Sequence, residues 1–190
     1  MPRQSLISPN PALPALPLDS TAARVVAVLL GTLVLTLSSR LQVPMVPVPM
    51  TMQTLAVTLI GALYGWRLGA LTVLVWLAQG LVGLPVFAGG AGPAYMVGPT
   101  GGYLVAFVFA AAVCGALAER GWTGHRVLRS FAAQLAGNLL CLAIGAAWLA
   151  TFVGPTKAVA AGVLPFVLGG VLKSILGAAL LKALALQRGR

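Results

Sequence analysis

The chain has 190 residues, of which 59% are hydrophobic and only 7% are charged. Soluble globular domains carry about 25% charged residues, so the composition excludes that class and indicates an integral membrane protein. Twelve Lys and Arg residues against two acidic ones give a net charge of +10. Nucleic acid is not an expected partner, because the basic residues lie mostly at the ends of apolar segments rather than in one patch.

The N-terminal residues 1–18 are rich in proline and lack the continuous apolar run of a signal peptide. They are predicted to form a mobile cytoplasmic tail, followed by a single six-helix membrane domain over residues 19–190. The first span runs from Asp19–Thr21 to about Leu41. Ala23, Ala27 and Gly31 form a stripe of small residues on one face of it, which serves either internal packing or the docking of a partner membrane subunit.

Residues 41–54 form an uncharged segment in which Pro44, Pro47 and Pro49 exclude a helix and favour an extended or polyproline conformation. We expect it to lie on the membrane domain as an apolar lid. The second span, residues 55–65, is short for a bilayer, so part of this segment must lie at membrane depth. Gln53 at the helix mouth is a candidate ligand contact, while the neighbouring threonines are expected to cap the helix.

A tight turn at residues 65–69 leads into the third span, residues 68–84. A loop over residues 83–103 then carries seven glycines, three prolines and no charge. Glycine and proline both interrupt helices, and apolar segments lie on either side. The pattern predicts a shaped, irregular wall of a binding site.

The fourth span is predicted over residues 101–117 and the fifth over residues 127–152. A short interfacial helix over residues 158–164 precedes the sixth span, residues 165–186. Gln134 and Asn138 are four residues apart and therefore share a helix face. Their amides either bond neighbouring helices or contact a ligand.

Six spans place both termini on one side of the membrane, together with nine basic residues, while only Arg40 and Lys157 fall on the other side. The positive-inside bias therefore places the termini in the cytoplasm and the three irregular loops outside. Lys173 lies about 12 Å inside the sixth span, where a cation is costly in lipid. It either reaches the interface, bonds a backbone carbonyl, or faces a ligand that carries a carboxylate or a polarised carbonyl.

Enzymatic motifs are missing from the sequence. It contains no GxxxxGK[ST] phosphate loop, no nucleophile–His–acid set and no Cys/His metal set, since Cys114 and Cys141 are isolated. The prediction is a binding protein without catalytic residues, metal or cofactor.

Three blocks of the sequence closely resemble the BioY family: residues 46–56, 83–90 and 98–104. Residues 165–173 are similar to the family's final-helix motif. The resemblance covers about residues 20–187. It implies the biotin-binding S component of an energy-coupling factor (ECF) transporter, with six membrane helices, a transmembrane coupling protein and two cytoplasmic ATPases as partners. It also favours the partner contact for the stripe Ala23, Ala27 and Gly31.

The resulting site hypothesis places biotin between the proline-rich segment and the glycine-rich loop. The expected ligand-binding residues are Lys173, Gln53, Phe87, Tyr95, Gly98, Thr100, Gly101, Tyr103 and Asn138. Lys173 matches the family's pocket lysine, but Gly170 stands where the family usually has an acid. The alternatives are an S component for another vitamin and a membrane enzyme or protease.

Overall fold

A computed structural model describes residues 20–188 of the chain. The described residues form seven helices and one short hairpin. The elements in chain order are α1 (Thr21–Arg40), β1 (Gln42–Val43), β2 (Met50–Thr51), α2 (Gln53–Leu81), α3 (Pro93–Val97), α4 (Gly101–Glu119), α5 (Val127–Val153), α6 (Pro155–Gly162) and α7 (Leu164–Arg188). The predicted tail, residues 1–18, lies outside the described residues.

Five of the described helical segments are long and apolar enough to cross a membrane: α1, α2, α4, α5 and the continuous segment Pro155–Gln187 that contains α6 and α7. The α2 helix is not straight, because Gly65 has φ 80° and ψ 172° in its middle. A Cβ on Gly69 would lie 2.9 Å from the Cα of Gly61. In a straight helix these residues would be about 12 Å apart, so the two halves of α2 fold back on each other.

The predicted six membrane segments are therefore present, with α2 supplying two of them. The turn between these two is shorter than the predicted turn over residues 65–69. Gly65 alone makes it, with a positive φ, and the helix resumes at Trp66. Glu119 Oε1 at the end of α4 accepts a hydrogen bond from the Trp66 backbone N–H at 3.1 Å. This carboxylate satisfies a donor that the break at Gly65 leaves without its helical partner.

Two of the three residues in the small-residue stripe of α1 pack inside the protein, while Ala23 is only partly buried. Ala27 and Gly31 are buried against α2, and the Tyr64 hydroxyl donates to the Ala27 carbonyl at 3.0 Å. A Cβ on Gly31 would lie only 2.5 Å from Thr72 Cγ2, so the two helices approach as closely as a glycine permits. The structure thus shows the packing alternative for these two residues. A partner-subunit contact through the stripe stays a prediction.

The core of the bundle lies between α2, α4 and the start of the glycine-rich loop. The Trp76 indole is fully buried and meets Phe87 edge-on, with ring centroids 5.0 Å apart, and Phe107 at 6.3 Å. This aromatic cluster joins the loop to the helices, because Phe87 belongs to the loop and the other two rings belong to the bundle.

The proline-rich segment has the extended one of its two predicted conformations at both ends, because β1 and β2 pair antiparallel, with Gln42 opposite Thr51, around a cis peptide bond at Val46–Pro47. Two other local predictions were wrong in detail. The glycine-rich loop contains the short helix α3, which Pro93 can begin because the first position of a helix needs no amide donor. Helix α6, predicted over residues 158–164, begins instead at Pro155 for the same reason and ends at Gly162.

Candidate functional site

A cavity opens where the hairpin and the glycine-rich loop meet helices α4, α5 and α7. The empty space between its walls, including the part that is open to solvent, is about 610 Å³. The described residues that line it are Val48, Pro49, Thr51, Gln53, Thr54, Ala88, Tyr95, Thr100, Tyr103, Leu104, Phe107, Asn138, Cys141, Leu142, Phe166, Gly170 and Lys173. Apolar and aromatic side chains predominate, with a few polar groups among them.

The hairpin forms one side of this cavity through Val48, Pro49 and Thr51. The predicted position of the segment over the membrane domain agrees with this arrangement. The Gln42 amide on the first strand donates to the Ala88 carbonyl at 3.3 Å, and the Arg40 guanidinium donates to the Pro85 carbonyl. The hairpin and the glycine-rich loop are therefore held together as adjoining walls.

The glycine-rich loop is an ordered wall. Ser39 Oγ of α1 donates to the Val86 carbonyl at 3.1 Å, and the Gly92 amide donates to the Gly80 carbonyl at 2.7 Å. Tyr95 stacks on Phe87 with ring centroids 5.3 Å apart, and its hydroxyl accepts the Gly89 N–H at 3.2 Å. Tyr95 thus faces the cavity with both its ring and its hydroxyl fixed by the loop.

Lys173 enters the cavity from α7 and is partly buried. Its ammonium donates to the Thr51 carbonyl at 2.6 Å and to Thr54 Oγ1 at 3.2 Å. The carbonyl alternative considered from the sequence is thus present, together with the position beside a cavity that the ligand alternative requires. Both acceptors are neutral, so neither compensates a positive charge on Lys173. It also connects α7 to the end of the hairpin and the start of α2.

Two amide side chains bring polar atoms to the cavity. Gln53 is 3% exposed and lines the cavity, and its Nε2 has no hydrogen-bond partner among the described residues. A buried amide donor without a partner costs about 1–3 kcal/mol, and a ligand carbonyl would remove that cost. Asn138 lines the cavity as well, while its Nδ2 donates to the Gln134 carbonyl at 3.0 Å and to Ser174 Oγ at 3.2 Å. Asn138 therefore bonds its neighbours and borders the cavity at once.

Tyr103 lines the cavity from the first turn of α4. Its hydroxyl donates to the Gly162 carbonyl at 2.8 Å, and its ring stacks against Phe166 with centroids 6.3 Å apart. The ring lies where a side chain on Gly145 would otherwise be. Thr100 lines the cavity directly before α4. Six of the nine predicted ligand-binding residues therefore line one cavity: Lys173, Gln53, Tyr95, Thr100, Tyr103 and Asn138.

The other three expected ligand residues lie behind or beside this cavity and are not among the described residues that line it. Phe87 is fully buried beneath Tyr95. The Gly98 carbonyl accepts the indole N–H of Trp148 at 2.9 Å, and Gly101 packs against the Met96 carbonyl, where a Cβ has no room. They support the walls in this structure, and their direct contact with a ligand stays a prediction.

Several residues of the site could not be predicted from the sequence. Phe107, Cys141, Leu142 and Phe166 all line the cavity, but each reads as an ordinary apolar residue of a membrane helix. Trp148 also went unnoticed, although it tethers the loop at Gly98 across fifty positions of the chain. A helical period through Asn138, Cys141 and Leu142 would have grouped these three on one face of α5.

Comparison with known proteins agrees with this fold. The chain is similar to a solved structure, the crystal structure at 2.1 Å of the S-component for biotin from an ECF-type ABC transporter. The match covers 93% of this chain and 96% of the other, with a TM-score of 0.78 and 24% sequence identity. That likeness shows the fold.

The sequence relatives are closer. The chain is 38% identical over 167 residues to the biotin transporter BioY2 of Lactococcus lactis, which covers 82% of this chain and 88% of the relative. It is 39% identical over 137 residues to a probable biotin transporter BioY of Pyrococcus horikoshii, covering 72% of this chain and 80% of the relative. A biotin transporter BioY of Rhizobium etli is 40% identical over 147 residues, covering 73% and 78% of the two chains. The model of the BioY family matches residues 11–190, and the chain therefore belongs to the BioY family.

Proposed function

We propose that this multi-pass membrane protein is the substrate-binding subunit of a vitamin importer and captures biotin. The observation that carries the proposal is the composition of the cavity. Biotin has a ureido ring, an aliphatic chain and a carboxylate. The cavity offers aromatic and aliphatic walls for the apolar parts, the free amide donor of Gln53 for a carbonyl, and the ammonium of Lys173 for an anion. The relatives' names, all biotin transporters, support the same ligand.

Transport would require partners that supply energy, because the sequence has no phosphate-binding loop. We infer that a transmembrane coupling protein and two cytoplasmic ATPases associate with the chain, as in an ECF transporter. Both termini would lie in the cytoplasm, since nine basic residues share their side and only two lie on the other. The cavity would then open to the outside, where the vitamin is captured.

Biotin binding to the purified protein in detergent tests the proposal directly. Labelled biotin should bind one molecule per chain, and other vitamins in excess should not displace it. Tight retention of another vitamin without biotin binding would instead indicate a different S component, and chemical conversion of biotin during incubation would indicate an enzyme.

The role of Lys173 is tested by Lys173→Met, which keeps the length of the side chain and removes its charge. Hydrogen bonds to charged groups contribute about 1.5–3 kcal/mol, so the biotin Kd should rise about 10- to 150-fold. Lys182→Met is the matched control, because Lys182 is on the same helix and exposed; it should leave the Kd unchanged. Equal affinities for both variants would remove Lys173 from the site.

A further inference from the structure

The cavity contains one charged side chain and no described counter-charge. Lys173 is the single ionisable cation or carboxylate among the described residues that line it. Glu119, the one acid within the described part of the chain, lies at the far end of α4 and accepts a hydrogen bond from the Trp66 backbone N–H. It lies about 24 Å along that helix from Tyr103, which borders the cavity. Glu119 is therefore too far away to pair with Lys173, and the described residues supply no other carboxylate.

Gly170 is the position from which an internal counter-ion could reach this lysine. It lines the cavity one helical turn before Lys173, and residues three apart on a helix are neighbours. The space beside it is open. A Cβ there would meet Asn138 Cβ at 3.7 Å and Asn138 Oδ1 at 3.8 Å, both ordinary van der Waals distances. A short side chain therefore fits, and the glycine is not required by close packing.

Gly170 has more free space beside it than the other two glycines nearby on α7, Gly169 and Gly177. A Cβ on Gly169 would approach Met50 Sδ to 3.0 Å, and one on Gly177 would approach Gln134 Oε1 to 2.8 Å. Those two glycines permit close contact with the hairpin and with α5. Gly170 instead leaves space in the cavity next to a cation whose described acceptors, Thr51 O and Thr54 Oγ1, are neutral.

We propose that Gly170 determines specificity by leaving Lys173 to pair with the carboxylate of the ligand, so that the chain selects free biotin over uncharged biotin derivatives. The inference rests on the proposed function and adds which end of biotin the ammonium meets. An ammonium has three donors, and two are used within the protein. A ligand carboxylate would take the third and neutralise the charge, whereas an amide or ester offers a neutral acceptor and leaves the cation uncompensated.

Binding of biotin and of biotinamide to the wild-type protein is the first measurement. The two ligands have nearly the same shape and differ in charge. Biotin should bind at least about 10-fold more tightly than biotinamide, since a charge-assisted hydrogen bond is about twice as strong as a neutral one and the alternative leaves an unpaired ion. Equal affinity for the two ligands would overturn the inference while leaving biotin capture intact. Failure to bind either ligand would overturn the proposed function itself.

The variants Gly170→Asp and Gly170→Asn form a matched pair, with nearly equal volumes and different charge. The Asp carboxylate should pair with Lys173 and reduce the preference for biotin over biotinamide to about 3-fold or less, while the Asn variant should keep the wild-type preference. The ratio of the two affinities is the readout, because each variant also occupies space in the cavity. A ratio that changes equally in both variants would show that Gly170 acts through volume and would refute the charge argument. If the Asp variant fails to fold, the wild-type comparison decides alone.

Discussion

The contact between α1 and α2 gives the sharpest test of how the bundle is held, and Gly31→Ala is the substitution that probes it. The added Cβ would lie 2.5 Å from Thr72 Cγ2 and 3.3 Å from Tyr64 Cε2. An ordinary contact between carbon atoms needs about 3.5 Å, so one of the groups must move by about 1 Å. Thr72 is not free to rotate, because its Oγ1 donates to the Leu68 carbonyl at 2.8 Å. Helix α1 must therefore shift outward.

Overpacking of this kind costs about 1–3 kcal/mol. For a chain of this size each kcal/mol corresponds to a change of about 2–4 °C in the unfolding midpoint, so Gly31→Ala should lower it by about 2–12 °C. Thermal unfolding of the isolated subunit in detergent, followed by tryptophan fluorescence, measures the change. Biotin affinity should be unchanged, since neither Gly31 nor Thr72 is among the described residues that line the cavity.

The second substitution Thr72→Ser provides the control. It removes Cγ2, the atom with which the new methyl group collides, and keeps the hydroxyl that bonds Leu68. The double variant should recover most of the stability lost in Gly31→Ala, so the two changes should be strongly non-additive. If Gly31→Ala unfolds at the wild-type temperature and loses only the association with partner subunits, the stripe is a docking surface and the packing argument is refuted.

Two further predictions concern the cavity and its walls. Cys141 is among the described residues that line the cavity, and Cys114 is not. In a Cys114→Ala background, saturating biotin should slow the reaction of a small methanethiosulfonate with Cys141 by about 10-fold or more, as measured by mass spectrometry. An unchanged rate would place biotin elsewhere. Trp148→Phe removes the hydrogen bond to the Gly98 carbonyl, a loss of about 0.5–1.5 kcal/mol, and should weaken biotin binding about 2- to 10-fold. Phe152→Leu, which alters the neighbouring ring but no hydrogen bond, should bind as wild type, and equal affinities for all three proteins would refute the tether.

Much of the fold follows from patterns along the sequence. Apolar runs predict the membrane helices, and proline and glycine predict where they stop, because both effects act locally. The tight turn predicted at residues 65–69 is present, but the sequence could not show that Gly65 alone makes it. A positive φ at a glycine is one of many conformations open to that residue, and here it is stabilised by the distant carboxylate of Glu119.

The site was predictable where burial makes a polar group costly. Lys173 and Gln53 stand out in apolar surroundings, and both line the cavity. Aromatic residues carry no such signal, so the sequence could not separate Tyr103, which lines the cavity, from Phe87, which lies beneath its wall. Which ring faces the cavity depends on long-range contacts such as the hydrogen bond from Tyr103 to Gly162.

The cavity has two kinds of wall, the helices and the glycine-rich loop, and different interactions hold each of them. The helices approach one another at glycines, so moving them apart would sacrifice close packing over many atoms. The glycine-rich loop is held at its start by the buried Phe87 ring, and elsewhere by backbone carbonyls that accept hydrogen bonds from side chains on the bundle and hairpin: Val86 from Ser39, Ala88 from Gln42, and Gly98 from Trp148. Each such bond contributes only about 1 kcal/mol net. Breaking one such tether would therefore cost less than moving a helix, while the buried Phe87 ring, packed edge-on against Trp76, keeps the start of the loop in place.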